Sequence, residues 1–518
     1  MKRSRTVFGL LMCVALVASA CGGDDGESGG GEARLDASVK EGVASQIGET
    51  TATSAAAAEI SSMEEYEAFW AEQRQVIVDK IKTNGWGVDE ATNTLNGPEG
   101  FTIDLSACPS NWSNTQGLTD TEIKVGQSTA FSGTLADYGN MSRAMQVYLD
   151  YVNENGGVTD SEGKTRTFNL IAKDDGYDPA RGIPNVDELL DRDQTFMIHN
   201  GGSAIVMRTY DKINERCVPH PLAWTGHPAW GDPVNHPWTT GALLSYFTEA
   251  ILWGSYIEEH LPPGAKVAGL AMNNDFGAAY IAGFESFLAQ SDHDIEFVYE
   301  TIEPTAPDVK NEMTTLAAED PDVFIAMTTG VTCTLAIQEA AQNGLNESAE
   351  LLWQPSVCKA LSFVGEDVVG DSSDGWMIAG GGYIDINDSG FADHVAIKWA
   401  RGLLEDAGID PGSSGNLSAG FHFGWPLVEA FRIAGQLDGG LTRTNFILAW
   451  RAMDLESPFM LPGVRLTLNG NKDAYLVEGT EFARFDSAQQ SWVQEGATID
   501  LSGESAPCAW DQAIANCQ

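Results

Sequence analysis

The chain has 518 residues, of which 43% are apolar, and its 74 acidic and 29 basic residues give a formal charge of −45. This balance excludes nucleic acid as a partner, because nucleic-acid binding needs a cationic face. The length and the apolar fraction are sufficient for two hydrophobic cores.

The first residues have the pattern of an export signal. Three basic residues within the first five precede an apolar run over residues 7–17, and the small residues 18–20 lead to Cys21. Such a segment is too short for a spanning helix and typical of a cleaved leader, and a cysteine at the cleavage point resembles the lipobox of bacterial lipoproteins. We therefore predict a signal peptide over residues 1–20 and a lipid anchor on Cys21. The alternative is an ordinary secretory signal in which the cysteine is incidental.

The predicted mature chain has a spacer, an extension, a body and a tail. Residues 21–62 begin with a stretch rich in Gly, Ala, Ser and acidic groups, which predicts a flexible spacer. Residues 63–118 open with an amphipathic pattern and are predicted to form a helical extension. The body follows from residue 119, and residues 486–518 are predicted to be a C-terminal tail. No later segment has the apolar length of a membrane span, so the body is expected to be soluble and held by its anchor.

Strands alternate with helices along the body in two successive series, which predicts an α/β fold with two doubly wound parallel-sheet lobes. Lobe 1 is predicted over residues 119–240 and 380–458, and lobe 2 over residues 241–379 and 459–485. The chain would cross between the lobes three times, near Trp238–Gly241, Gly375–Gly381 and Met460–Leu466. Two-lobed proteins of this kind bend at their crossings and bind ligands in the cleft.

The sequence has no recognisable enzymatic motif. It contains no GxSxG, HExxH, GxxxxGK[ST] or GxGxxG in the required setting, and no CxxC pair. We predict that the protein is not an enzyme and has no cofactor. An exported hydrolase with a site assembled from distant residues is the less favoured alternative.

Histidines and tryptophans are densest in residues 219–238 (PHPLAWTGHPAWGDPVNHPW). His220, His227, His236 and Asp232 have the chemistry of metal ligands, but their spacing is not that of a helical or hairpin metal site. We favour a rigid loop that packs against the body or lines the cleft, and we predict no metal.

In open parallel sheets, ligands bind beyond the carboxyl ends of the strands. This rule selects six loops, which are rich in Ser, Thr, Gly, Asn and aromatic residues and nearly free of charge: residues 128–138, 200–203, 224–226, 273–276, 328–333 and 355–358. Each hydroxyl by itself fits a helix N-cap. Together the six loops predict a small-molecule site.

Several runs carry a resemblance to a known family. IKVGQSTAFSGTLADYG over residues 123–139 and AMQVYLDYVNENGGV over residues 144–158 resemble the opening strand and first helix of type I periplasmic binding proteins of the branched-chain amino-acid class, and KDDGYDPARGIPNVDELL and NNDFGAAYIAGFESFLA continue the likeness. The resemblance covers residues 119–470. It implies a solute receptor that partners an ABC permease in the membrane, and a lipoprotein is a frequent form of this family in Gram-positive envelopes.

The resemblance and the loop rule together nominate nine ligand-binding residues: Tyr138, Gly202, Ser203, Trp224, Thr225, Asp275, Phe276, Thr329 and Ser356. Ser356 is the main departure, because amino-acid binders of this class commonly have a glutamate there for the ligand's ammonium. A serine supplies no charge for that cation, and an unpaired buried cation is costly. The solute is therefore an amino acid only if Asp275 substitutes, and an amide, a urea-like compound or a carboxylate is equally open.

Six cysteines remain after the leader and the anchor, an even number that suits an oxidising compartment. Cys333 and Cys358 open the helices that follow neighbouring strands, which predicts a disulfide between them. Cys108, Cys217, Cys508 and Cys517 allow three pairings.

The sequence thus predicts a lipid-anchored receptor that closes on a small solute and delivers it to an ABC permease. A sensory protein of the same fold, signalling to a membrane partner without import, is the other interpretation that the sequence leaves open.

Overall fold

The computed structural model describes residues 37–47 and 60–518. The predicted signal peptide and Cys21 lie outside the described residues. Within the described ranges, no helix combines the length and the apolarity that crossing a membrane requires.

The described part of the chain begins with elements that pack into the cores of both lobes. They are α1 (Ala37–Gln46), α2 (Met63–Asn84), β1 (Gly87–Asp89), β2 (Thr94–Asn96) and β3 (Thr102–Asp104). The predicted spacer over residues 21–62 is wrong for α1. Val39 and Val43 lie one helical turn apart and so form a small apolar stripe on one face of α1. Both side chains are fully buried in the core of lobe 2.

Helix α2 has the boundaries that its sequence encodes. Ser62 caps its first turn by accepting a hydrogen bond from the backbone of Glu65, and Gly85 ends it in a left-handed conformation at φ 64°. Trp70 and Ile77 bury its apolar face in the core of lobe 1. The predicted extension is therefore a helix followed by a three-stranded antiparallel sheet, and it belongs to the body of lobe 1.

The first half of lobe 1 alternates strands and helices as predicted. Its elements are β4 (Glu122–Thr129), α3 (Gly139–Glu154), β5 (Val158–Thr159), β6 (Thr165–Asp174), α4 (Pro179–Asp191), β7 (Met197–Asn200), α5 (Ser203–Val206), α6 (Tyr210–Glu215), β8 (His220–Ala223) and β9 (Thr239–Gly241). The sheet has the order β5-β6-β4-β7, with β6, β4 and β7 parallel. A parallel bridge between Gly201 and Trp224 joins β8 to it.

Lobe 2 repeats the pattern on a larger scale. Its elements are α7 (Tyr246–His260), β10 (Lys266–Met272), α8 (Asp275–Leu288), β11 (Glu296–Ile302), α9 (Lys310–Ala318), β12 (Val323–Met327), α10 (Val331–Gln342), α11 (Leu345–Ser348), β13 (Leu351–Gln354), α12 (Leu361–Val364), α13 (Glu366–Val369) and β14 (Met377–Ala379). Strands β11-β10-β12-β13-β14 are parallel neighbours in that order. The predicted α/β class with two parallel-sheet lobes is confirmed.

The chain then returns to lobe 1 and crosses again near its end. The remaining elements are α14 (Val395–Asp406), α15 (Leu417–Gly435), α16 (Arg443–Arg451), β15 (Asp454–Glu456), β16 (Arg465–Thr467), β17 (Gly479–Asp486), β18 (Ser491–Asp500), β19 (Trp510–Asp511) and β20 (Asn516–Cys517). Strands β17 and β18 extend the sheet of lobe 2 in antiparallel fashion. Residues 486–518, predicted to be a tail, therefore supply an edge strand of lobe 2.

Core membership locates the three crossings. Ala242 packs in the core of lobe 1 and Leu244 in that of lobe 2, so the first crossing lies just beyond the predicted Trp238–Gly241. The second lies between Ala379 and Ile384, and so overlaps the predicted range only at its end.

The predicted third crossing at Met460–Leu466 is wrong. Met460, Val464 and Leu466 are all buried in the core of lobe 1, because this apolar run forms part of the β15–β16 hairpin and its approach. Residues 459–477 thus belong to lobe 1, and the crossing occurs between Val477 and the start of β17.

Candidate functional site

A cavity lies between the two lobes, and its empty space, counted together with the open solvent at its mouth, is about 1190 Å³. Both sheets direct the carboxyl ends of their parallel strands toward it, as the loop rule requires. Eight of the nine predicted ligand-binding residues line it, namely Tyr138, Gly202, Ser203, Trp224, Thr225, Phe276, Thr329 and Ser356.

Most of the cavity wall is apolar. Trp224 and Phe423, both from lobe 1, stack with their ring centroids 5.1 Å apart. The remaining apolar lining includes Leu135, Met141, Leu222, Leu243, Leu244, Tyr246, Val357, Met460, Leu466, Leu476 and Val477. Sequence reasoning missed Phe423 and the segment after Met460, because both follow the second crossing and belong to no strand-end loop.

The loop after β7 supplies a polar end. Gly202 has φ 82°, and a Cβ atom there would lie 2.4 Å from the ring of Tyr177. Only glycine fits this turn, which starts α5 at Ser203. The Ser203 hydroxyl lies 2.6 Å from that of Thr225, which lies 3.3 Å from the phenol oxygen of Tyr246. Three hydroxyl groups therefore form a chain along this wall.

Lobe 2 contributes a second polar patch, formed by Thr329 after β12 and Ser356 after β13. The phenol of Tyr138 reaches across from lobe 1, 2.7 Å from the Thr329 hydroxyl, and donates to the backbone carbonyl of Val357 at 3.0 Å. The backbone N–H of Gly330 donates to the same phenol oxygen at 3.2 Å. These bonds join the two lobes directly, so the structure is that of a closed cleft.

Glu249 is a residue of the site that sequence reasoning missed. It is fully buried on α7 behind Ser356, and its carboxylate accepts hydrogen bonds from the backbone N–H and the hydroxyl of Ser356 and from the phenol of Tyr280. Burial raises the pKa of Glu249 to about 7, although these donors oppose the shift. The available signal in the sequence was an acidic residue between the aromatic pair Tyr246–Phe247 and the apolar run Ala250–Trp253.

Asp175 also lines the cavity and was not predicted. It accepts a hydrogen bond from the Ser128 hydroxyl at 2.7 Å and from the backbone of Tyr177 at 2.8 Å. Burial raises its pKa to about 6. The paired aspartates at the end of β6 were the signal. Asp175 ties the ends of β4 and β6 together at the cavity wall.

Asp275 was predicted to line the site and does not. Its carboxylate lies 2.7 Å from the guanidinium of Arg208, across the mouth of the cleft. As the first residue of α8 it points along the rim, because Asn274 caps the helix and Phe276 takes the inward position. Asp275 therefore cannot pair with a ligand cation inside the closed cavity.

The histidines of residues 219–238 have packing partners. His220 bonds to Asn200, while His227 accepts a hydrogen bond from the backbone of Ala229. Burial lowers the pKa of each of these two to about 3. His236 pairs with Asp232 and Asp211. In the described part of the chain, no group of three or more His, Cys, Asp or Glu side chains is arranged to hold a metal ion.

Three disulfides connect the six cysteines of the body. Cys333 and Cys358 are bonded, which is the predicted pair, and their Cα atoms lie 5.8 Å apart. The pairs that the sequence left open are Cys108–Cys217 and Cys508–Cys517. The first of these fixes the N-terminal extension to lobe 1.

A two-lobed α/β fold with three crossings and an enclosed interlobe cavity defines the class of bilobal solute-binding proteins. A family model described as "Periplasmic binding protein" matches residues 122–478. The chain belongs to this periplasmic binding protein family.

Solved structures give the same fold. A fatty acid ABC transporter substrate-binding protein from Thermomonospora curvata is 20% identical with a TM-score of 0.62, covering 76% of this chain and 97% of its own. A branched-chain amino acid ABC transporter protein from Thermus thermophilus with bound valine is 17% identical with a TM-score of 0.64, covering 75% and 98%. A solute-binding protein from R. palustris in complex with benzoate is 20% identical with a TM-score of 0.57, covering 76% and 99%. A comparison with curated proteins found no match.

Proposed function

We propose that this protein captures a solute with a sizeable apolar body in the interlobe cavity and delivers it to an ABC permease. The observation that carries the proposal is the cavity itself, which both lobes enclose and which joins an apolar wall to two small polar patches. A cavity of this kind binds by excluding water from apolar surface, while a few polar groups fix the ligand's orientation.

The lining favours a more apolar solute than an amide or urea. Trp224, Phe276 and Phe423 supply aromatic faces, and among the described lining residues there is no lysine or arginine. The solved relatives whose titles name a fatty acid, valine and benzoate span the same range, from aliphatic to aromatic. We propose an aromatic or aliphatic compound whose polar groups meet the two polar patches.

Capture requires no covalent chemistry. The solute would bind the closed form better than the open form and so shift the equilibrium between them by hinge bending at the three crossings. A lipid on Cys21 would keep the protein at the membrane near its permease; the basic start, apolar run and small residues before Cys21 support this tether.

The test is a thermal-shift screen of the purified protein against amino acids, amides, ureas, aromatic acids and fatty acids of short to medium length. A ligand should raise the stability by RT ln(1 + [L]/Kd), and calorimetry should return a single site. Mass spectrometry of the incubated compound should recover it unchanged. If no compound shifts the protein, or if a bound compound is converted to product, the proposal fails.

A further inference from the structure

The hydroxyl hydrogen of Ser356 is directed away from the cavity. Its Oγ lies 2.9 Å from Oε2 of Glu249, and the Tyr280 phenol lies 2.7 Å from the same oxygen. The backbone N–H of Ser356 donates to Oε1 at 2.5 Å. An ionised carboxylate has no hydrogen to donate, so both hydroxyls must donate to it. Only lone pairs of Ser356 Oγ are left for a solute.

The other hydroxyls on this wall are committed in the same way. Tyr138 donates its single hydrogen to the carbonyl of Val357 at 3.0 Å, so Thr329, at 2.7 Å, must donate to Tyr138. Tyr383 donates to the carbonyl of Ser356 at 2.5 Å. The hydroxyls of Ser356, Thr329, Tyr138 and Tyr383 therefore have no hydrogen left for a solute and offer it only acceptors.

The polar patch formed by Ser203, Thr225 and Tyr246 has a spare donor. Ser203, Thr225 and Tyr246 carry three hydroxyl hydrogens, and the two bonds that join them use two. One hydrogen is left over at an end of the chain. The two polar patches therefore differ in hydrogen-bonding character.

We propose that Glu249 sets the specificity of the cavity through Ser356, selecting solutes that present a hydroxyl, amine or amide hydrogen to the hydroxyl oxygen of Ser356. This inference rests on the proposed function and narrows it to a class of solute. Glu249 acts as a positioning residue, since its carboxylate does not line the cavity. Its negative charge also disfavours an anionic group beside Ser356.

The test compares matched compounds that differ in one donor: leucine with 4-methylpentanoate, 4-hydroxybenzoate with benzoate, and 6-hydroxyhexanoate with hexanoate. Calorimetry at pH 8, where Glu249 is ionised, should show the donor-bearing member of a binding pair to be about tenfold or more tighter. Equal affinities within each binding pair overturn the inference and leave the proposed function intact. If no member of any pair binds, the inference falls together with the proposed function.

Variants separate a specificity role from a structural one. Glu249→Gln introduces an amide donor behind Ser356, and Ser356→Ala removes the acceptor itself. Both should reduce the ratio of affinities within a pair toward one. Glu285→Gln removes the same charge from an exposed position on α8 and should keep the wild-type ratio. A Glu249→Gln variant that weakens both members of a pair equally, or that keeps their ratio, overturns the role of Glu249.

Discussion

The guanidinium of Arg208 in lobe 1 lies 2.7 Å from the carboxylate of Asp275 in lobe 2, across the mouth of the closed cleft. The Arg208 side chain is 47% exposed, so water and salt screen the pair, and such ion pairs contribute little. The hydrogen bonds of Tyr138 lie deeper in the cleft and are partly buried. The closed form is therefore expected to depend on Tyr138 more than on the ion pair at the rim.

Replacing Tyr138 with Phe should weaken solute binding about 5- to 30-fold, because it removes the bonds to Thr329 and Val357 that exist only when the lobes meet. Small-angle scattering should show a larger open fraction at a given solute concentration. Arg208→Ala should change affinity less than threefold at physiological salt. Tyr151→Phe, on the outer face of lobe 1, is the matched control, and an equal loss in it would contradict the role of Tyr138.

Replacing Gly202 with Ala should abolish or strongly weaken binding. The new Cβ would lie 2.4 Å from the ring of Tyr177, and φ 82° strains any residue other than glycine. The neighbouring Gly201→Ala is a matched control, because its Cβ would make an ordinary contact 3.5 Å from Trp224. Calorimetry and thermal unfolding of both variants measure the difference. Similar behaviour of the two would show that the turn tolerates a side chain.

The pH dependence of stability should change in Glu249→Gln. The pKa of Glu249 is raised from 4.5 to about 7, so between those values the folded state holds a proton that the unfolded state has released. Stability from this group is complete below pH 4.5 and is lost as the pH rises to 7, by about 3 kcal/mol in total. Urea unfolding at several pH values should show that the wild type loses this stability relative to Glu249→Gln. Parallel pH profiles would mean that the carboxyl titrates normally.

Loss of the Cys333–Cys358 disulfide should destabilise lobe 2. The bond closes a loop with a sequence separation of 25 residues, for which about 2–4 kcal/mol is typical. A double Cys333→Ala, Cys358→Ala variant should unfold at lower urea concentration than the wild type. Adding a reductant should reduce the difference in urea midpoint between the wild type and the double variant. An unchanged midpoint in the double variant would show that the bond adds no stability.

Replacing Cys21 with Ser should release the protein from the membrane. The prediction follows from the small residues and the cysteine at the end of the leader. Fractionation of expressing cells should move the protein from the detergent-extracted membrane to the soluble extracytoplasmic fraction. Cys13→Ser, inside the predicted leader, serves as the control and should stay membrane-bound. A wild-type protein that carries no acyl chain by mass spectrometry would contradict the anchor.

The strand-end loops of the candidate site were within reach of the sequence. Tyr138, Ser203 and Trp224 each follow a parallel strand, and the topology of such sheets brings strand ends to one edge. Asp275 satisfied the same rule and still points to the rim. The position after a strand predicts which loop lines the site. Which side chain of this loop points into the cavity is decided by Asn274, which caps the following helix.

The sequence by itself determined the α/β class, the two series of strands and helices, and the Cys333–Cys358 pair, because all of these depend on local patterns and on the order of elements along the chain. Only the tertiary structure decided that Glu249 lies behind Ser356, that Met460 and Leu466 belong to lobe 1, and that residues 37–46 pack on lobe 2 as a helix. These features join residues that are far apart in sequence. Their contacts depend on how complete surfaces fit together, which no local pattern records.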